Sequence, residues 1–416
     1  MKKVTFAICG VGNRGTRYAY ELRQRSDRGE IVALADTRPV RLEAVNKYLN
    51  LPEDRIFHSA DELLAAPKLA DVMIISTQDS QHKEHAIAAM KKGYHLVLEK
   101  PISNKAEECM EIAAVAREYD RQVLVCHVLR YTGFYKELKK LIDSGIIGKV
   151  MNIHAVELIA YYHFAHSYVR GNWHKEADSS PMILAKCCHD MDLMLWLAGK
   201  HCLSVSSVGS LSYFTAANCP EGAKDRCSDG CQVDCPYHAP KFYLSRMPAW
   251  PTNVLHPEPT EERVMEVLRT TNYGRCVYKM DNDVADHQSV LLQLEDDVTV
   301  SFTVSAFNAR QDREISVMGT KGNIWGNFKD RKLHIEIYGE EPRVFDLAPL
   351  YPVTTGHGGG DGGLIQDALS FFGGEDFDMT SITSIHRSVE SHMVAFAAEE
   401  SRRKGGERIV MTPPED

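Results

Sequence analysis

The chain has no run approaching the roughly 20 apolar residues that span a bilayer, so a helical membrane anchor is not expected. No secretory leader is expected from the segment that opens the sequence. The apolar run Val4 to Cys9 that follows Met1-Lys2-Lys3 is too short, and glycines rather than a small-residue cleavage site come after it. There is no sign of a disulfide framework: eleven cysteines, an odd number in a large chain without a leader, read as reduced thiols. An excess of positive charge is missing too. The net charge of -9 argues against nucleic acid or an anionic membrane as a partner. No internal repeat and no long low-complexity linker interrupts the chain. These absences lead us to expect a cytoplasmic protein with neither a membrane nor a nucleic-acid partner.

What is present is ordinary globular material, 44% hydrophobic and 25% charged, in 416 residues. That length exceeds what one hydrophobic core organises, so two domains are expected. Over the first 125 or so residues, short apolar strands alternate with helices. The strands are Val4–Cys9, Ile31–Ala35, Asp71–Ile75, His95–Leu98 and Gln122–Val125. The clearest helices are Thr16–Arg25 and about Lys83–Lys92. Apolar strands separated by helices imply a parallel sheet covered on both faces.

Beyond Leu129 the period changes to two, at Val150–Leu158, Ser204–Phe214, Ser289–Leu294, Val298–Val304, Glu314–Met318 and Leu333–Ile337. Period-two alternation predicts strands with one covered face. Helices are expected at Phe134–Ser144, Cys188–Ala198, Leu364–Phe372 and Ser384–Arg403. The expected fold class is α/β plus α+β. A Rossmann doubly wound parallel sheet fills 1–128, and an α+β domain on a large open, mainly antiparallel or mixed sheet fills 129–416. A cysteine-rich insertion is expected at about 215–255.

Gly10-Val11-Gly12-Asn13-Arg14-Gly15 fits G-x-G-x-x-G directly after a strand and before a helix, the context the motif needs. The first glycine permits the tight turn and the second admits a pyrophosphate. The third lets helix pack on strand, and the helix N-terminus presents free N–H groups. Asp36, at the end of the second strand, suits the ribose hydroxyls and favours NAD. Arg38 and Arg41 leave NADP open, and Thr37 belongs to the same segment.

Three more segments follow in order: Ser76-Thr77-Gln78-Asp79-Ser80-Gln81-His82, then Glu99-Lys100-Pro101, then Arg130-Tyr131 leading to Ser144–Val150. With the glycine fingerprint, this series resembles the glucose–fructose oxidoreductase, inositol dehydrogenase and rhizopine catabolism (Gfo/Idh/MocA) family over essentially the whole chain. The resemblance implies a Rossmann domain joined to an open-sheet domain, with NAD- or NADP-dependent redox chemistry on sugars and cyclitols. It implies that Lys100 lies near nicotinamide and substrate, and that Ser76, Thr77, Gln78, His82 and Glu99 line the cofactor cleft. Gln78 stands where proline is usual.

In Leu184–Asp192, His189 and Asp192 fit the family pattern, but Ala185 replaces the expected aspartate. His189 is the expected proton-transferring base, since imidazole titrates near neutral pH. Lys186, three positions earlier and on the same face of a helical turn, is a candidate to replace the missing carboxylate. A core histidine satisfied by Asp190 or Asp192 is the competing reading. Candidate substrate contacts are Tyr131, Tyr162, His163, Arg170, Trp173, Asp190, His287 and His357. His357 sits in a glycine-rich loop where Asp361 could instead simply cap a helix. Cys219, Cys227, Cys231 and Cys235 are a candidate thiolate zinc site, although their spacing is not that of a zinc ribbon and no metal is assigned.

Three functions compete. The first is a sugar or polyol dehydrogenase. The second is an NAD-dependent, redox-neutral glycoside hydrolase or lyase working through a transient keto-sugar. The third is a non-catalytic dinucleotide-binding protein. Homo-oligomerisation through the C-terminal sheet is also expected.

Overall fold

The computed structural model describes residues 3–352 and 356–413. Six parallel strands open the chain: β1 (Val4–Cys9), β2 (Gly29–Ala35), β3 (Ile56–Phe57), β4 (Val72–Ile75), β5 (His95–Leu98) and β6 (Val123–Val125). Their order in the sheet is β3-β2-β1-β4-β5-β6. This is the doubly wound order, and its direction reverses between β1 and β4. The crevice outside the strand ends at such a reversal is where doubly wound sheets take dinucleotides.

Helix α1 (Asn13–Arg23) starts earlier than the periodicity suggested, because Gly12 is already its N-cap. On one face of the sheet, α1 packs with Leu364, Ile365, Ala368 and Leu369 of the Gly360–Gly373 helix, over Phe6, Ile8 and Leu34. On the other face lie helices His82–Lys91 and Ala106–Glu118, together with Ile385 from the start of the last helix, Ile385–Arg403. Two late segments of the chain thus help cover the first sheet, so a boundary at 128 describes the sequence better than the core.

The second sheet has nine strands: β7 (Val150–Ala160), β8 (Cys202–Ser210), β9 (His287–Leu294), β10 (Thr299–Asn308), β11 (Asp312–Gly319), β12 (Gly322–Asn327), β13 (Lys332–Ile337), β14 (Arg343–Asp346) and β15 (Ile409–Val410). The order is β14-β13-β12-β11-β7-β10-β9-β8-β15, antiparallel except for the central parallel pair β7 and β10. One face buries Ile153, Val290, Phe302 and Val317 against the Cys188–Ala198 and Ile385–Arg403 helices. The other face leaves His154, Leu291 and Trp325 exposed. β8 ends at Ser210 rather than Phe214 because the buried Asp286 carboxylate accepts the N–H groups of Ser212 and Tyr213 and turns the chain off the sheet.

Between β8 and β9 lies the cysteine-rich insertion, which extends well past residue 255. Tyr243, Val264 and Leu268 form its small separate core.

Candidate active site

The glycine loop is shaped by close approach. Gly10 adopts φ +89°, and a Cβ at Gly15 would lie 1.9 Å from the Gly10 carbonyl oxygen. At Gly12 a Cβ would meet only the Arg41 guanidinium, at 3.2 Å, so this side of the loop is open to a ligand. Asp36 shapes the loop from below. Its carboxylate accepts the Val11 N–H at 2.8 Å and the Arg38 N–H at 2.9 Å. Thr37, Arg38 and Asn13 are exposed at the carboxyl end of the sheet. These residues fit a dinucleotide: Gly10 to Gly15 and Asn13 at the pyrophosphate, and Asp36 to Arg38 at the adenosine end.

Other members of the expected cofactor set also brace the strand ends. The Ser76 hydroxyl donates to the Gly10 carbonyl at 2.6 Å. Thr77 bonds His85, and Gln78 caps the turn that follows β4. His82 is fully buried, with Nδ1 2.8 Å from the Pro101 carbonyl and Nε2 3.3 Å from that of Thr77. It ties the β4 end to the β5 end, and its ring faces protein on both sides.

Arg14 leaves the loop to bridge domains. Its guanidinium donates to Glu99 at 2.7 Å, to Asp361 at 2.7 Å and to the Tyr18 hydroxyl at 2.6 Å. Burial would raise the Glu99 carboxyl, but Arg14 and Lys100 outweigh it and hold it below the usual range. Asp361 serves here, with His357 3.1 Å away, and does not cap its helix, whose N-cap is Gly359.

Lys100, at the end of β5, donates from Nζ to the Ala185 carbonyl at 2.7 Å. The Rossmann lysine therefore reaches the backbone of the very residue that stands in the missing aspartate's place. Lys186 follows, nearly buried, with Nζ 3.4 Å from Glu157. Burial pushes its ammonium below the ordinary lysine value, and the positive charges of Arg313 and Lys100 push the same way, against Glu157. His189 opens the next helix, 5% exposed, with its ring 6.5 Å from His357. Burial, followed by the positive charge of Lys100, holds its imidazole well below the ordinary histidine value. That direction favours the neutral ring, the form that carries a free lone pair.

Neither aspartate satisfies that ring. Asp190 is held by Arg313 at 2.8 Å, and Asp192 by two 2.6 Å bonds from Arg130. Arg313 also faces Glu157 at 2.8 Å. Asp190, expected at the substrate, thus belongs to a buried ion cluster behind Lys186, and burial raises its carboxyl despite Arg313. Asp79, at the β4 end, receives Trp173 Nε1 and the Ser180 hydroxyl, each at 3.2 Å. Its carboxyl is raised by burial, although His82 and Lys100 pull it down.

The structure thus groups Lys100, Lys186, His189 and His357, with His163 beside them. His163 Nδ1 lies 2.9 Å from Gln311, and Gln311 in turn bonds Glu157. Tyr162 sits further out, its ring under the Arg246 guanidinium at 4.1 Å.

Three expected substrate contacts lie elsewhere. Tyr131 is buried in the Rossmann core with its hydroxyl 2.8 Å from that of Thr383. Arg170 is buried beneath the insertion, donating to the carbonyls of Arg275 and Tyr237 and to Cys227 Sγ. His287 stands at the start of β9, bonded to Asp286.

All eleven cysteines are free thiols. Cys227, Cys231 and Cys235 line one cavity with Cys276 and the Arg170 guanidinium. Among the described residues no three His, Cys, Asp or Glu side chains are arranged to hold a metal ion. In this arrangement the candidate quartet is not drawn together as a tetrahedral set. The Arg170 cation already stands among its thiols, which disfavours a second cation there.

Glu157, Arg313, Gln311 and Asp79 were not anticipated as site residues. Glu157 had a readable signal. In β7 the core-facing register runs Ile153, Ala155, Glu157, Ile159, and a carboxylate in such a row needs buried partners.

Comparison with known proteins bears on the fold and the family. The chain is 23% identical to an oxidoreductase of Bacillus subtilis, YteT, over 387 residues, 88% of each chain. It is 25% identical to the 2,7-anhydro-N-acetylneuraminate hydratase of Escherichia coli over about half of each protein, 50% and 52%. Levoglucosan dehydrogenase, solved with NADH and L-sorbose, shares the fold with a TM-score of 0.73 at 15% identity over the whole of both chains. The model of the oxidoreductase family's NAD-binding Rossmann fold matches residues 4–127, and that of its C-terminal alpha/beta domain matches residues 139–410. Across both halves, then, the chain belongs to the Gfo/Idh/MocA oxidoreductase family and binds NAD.

Proposed function

We propose that this protein is an NAD-dependent oxidoreductase that oxidises a hydroxyl of a sugar or polyol, or reduces the corresponding carbonyl. The observation that carries this reading is the meeting of Lys100, from the Rossmann strand ends, with Ala185, Lys186 and His189 of the second domain. Bound NAD supplies the hydride acceptor. The chain's own groups do the rest. The Lys100 ammonium stabilises negative charge on the substrate oxygen as it loses its proton, and neutral His189 takes that proton. Lys186, with its ion partner Glu157 behind it, fixes a neighbouring hydroxyl. His163 and Trp173 complete a polar and aromatic wall suited to a polyhydroxylated ligand. Relatives support the substrate class: an inositol 2-dehydrogenase of Lactiplantibacillus plantarum is 25% identical over 46% of this chain.

A redox-neutral lyase or hydrolase is the second reading, favoured by Lys186. A buried lysine with a lowered pKa can act as a base, as removal of a proton beside a transient ketone requires. The hydratase relative points the same way. A panel of free polyols and chromogenic glycosides with NAD separates the two. Stoichiometric NADH supports the dehydrogenase, leaving-group release without net NADH supports the second reading, and neither refutes both. The uncovered face of the nine-stranded sheet is our proposed self-association surface, to be read from the mass in solution.

A further inference from the structure

His127, just past β6, is 1% exposed, and neither of its ring nitrogens has a hydrogen-bond partner. Its ring meets that of His189 edge-on, 5.6 Å between centroids at 74°. His189 Nδ1 is also buried without a partner. Asp192 also stands beside His127, with Oδ1 4.0 Å from His127 Nε2. A third imidazole, His392, lies 5.4 Å from His127 but is already committed. Its Nε2 accepts the Ile102 N–H at 2.9 Å, and its Nδ1 donates to the Ser388 carbonyl at 2.8 Å. The other charged groups facing His127 are Arg130, Lys100 and Glu99.

Three buried ring nitrogens without partners in adjacent side chains are costly. Each buried polar group left without a hydrogen bond carries an uncompensated desolvation cost. Two hydrogen bonds satisfy them all. A neutral imidazole has one N–H and one lone pair. If His189 carries its hydrogen on Nδ1, it can donate to His127 Nδ1. His127 then carries its hydrogen on Nε2 and donates to Asp192, whose carboxylate Arg130 already holds. Both contacts need the rings to move from where they stand, since His127 Nε2 and Asp192 Oδ1 are 4.0 Å apart.

We propose that His127 is a positioning residue for His189. In the chain Asp192, His127, His189, it locks the His189 tautomer so that Nε2 keeps its lone pair free for the substrate hydroxyl. This rests on His189 being the base. No proton need travel past His189, because the chain fixes a tautomer rather than relaying charge.

The test is nitrogen NMR of histidine-labelled, NAD-loaded protein, with the His189 resonances identified by their loss in His189→Gln. The native protein should show the Nδ1–H tautomer at His189. His127→Asn, whose amide oxygen can replace Nδ1 as acceptor, should keep it. His127→Phe and His127→Gln should mix in the Nε2–H form. On any substrate the panel reveals, His127→Phe should lower kcat between roughly tenfold and 10²-fold, below the full contribution of a general base, with NAD affinity unchanged. His127→Asn should recover most of that loss. An Nε2–H tautomer in the native protein overturns the proposal even if no variant folds. An unchanged His189 signal in His127→Phe overturns it as well. Undiminished turnover by His189→Ala would instead refute the base assignment, which the tautomer measurement does not decide.

Discussion

At Lys100 one side chain does two jobs that can be separated. Its ammonium pins the second domain through Ala185, and under the proposed mechanism it stabilises negative charge on a substrate oxygen. Lys100→Met should leave NAD binding nearly intact, because the glycine loop and Asp36 hold the cofactor. Turnover should fall by about 10²-fold or more. Calorimetric NAD titration and single-turnover kinetics check the two halves. The Glu157 carboxylate faces both Lys186 and Arg313 from inside the barrier of β7. Glu157→Gln would leave those cations short of a counter-charge in the interior, and breaking a buried pair costs about 3–5 kcal/mol. Urea denaturation should show that loss even without substrate. These two residues differ in how readable they were. Lys100 stands in a motif with neighbours on both sides, whereas Arg313 and Gln311 meet Glu157 only through strand pairing. Sequence spacing carries no trace of which strands pair across 150 or so positions.

Among the elements, the glycine loop offers the cleanest contrast. Gly15→Ala places a methyl group 1.9 Å from a backbone oxygen, so strand and helix must separate. Its melting temperature should drop sharply. Gly12→Ala meets only a flexible guanidinium at 3.2 Å. It should melt like the native protein yet bind NAD weakly, because the methyl occupies the face a pyrophosphate approaches. Five of the six parallel strands were legible because each is an apolar run closed by a turn; the two-residue β3 was missed. β12 and β14 were missed too. Glycines at 322 and 326 dilute the alternation of β12, and β14 is a four-residue edge with both Arg343 and Val344 exposed. Helix Cys188–Ala198 read correctly to the residue, since Gly199 in the left-handed region stops it.

For the whole molecule, buried imidazoles set the response to acid. Burial holds His166 and His392 at about 3, against 6.5 for a free ring. The unfolded chain takes up protons below pH 6.5 that the folded chain refuses, so stability falls as pH drops. Two such rings alone give a slope approaching about 2.7 kcal/mol per pH unit below the free-ring value. His127 and His189 add to it, while Asp79, Asp190 and Asp192, raised when folded, oppose it further down. Urea midpoints should therefore decline between about pH 6.5 and 5. Flat midpoints across that window would mean these rings are charged in the native state.

A fragment ending at residue 128 should be expanded and bind hydrophobic dye, because Phe6, Ile8 and Leu22 lose Leu364, Ile365 and Leu369. Adding the 360–382 segment should restore compactness. During synthesis the consequence is one of timing. The nucleotide-binding half leaves the ribosome first, yet the helix that seals one of its faces emerges after nearly all the rest. At some 5–20 residues per second, that half waits many seconds with an open apolar flank, a long interval for a chaperone to occupy.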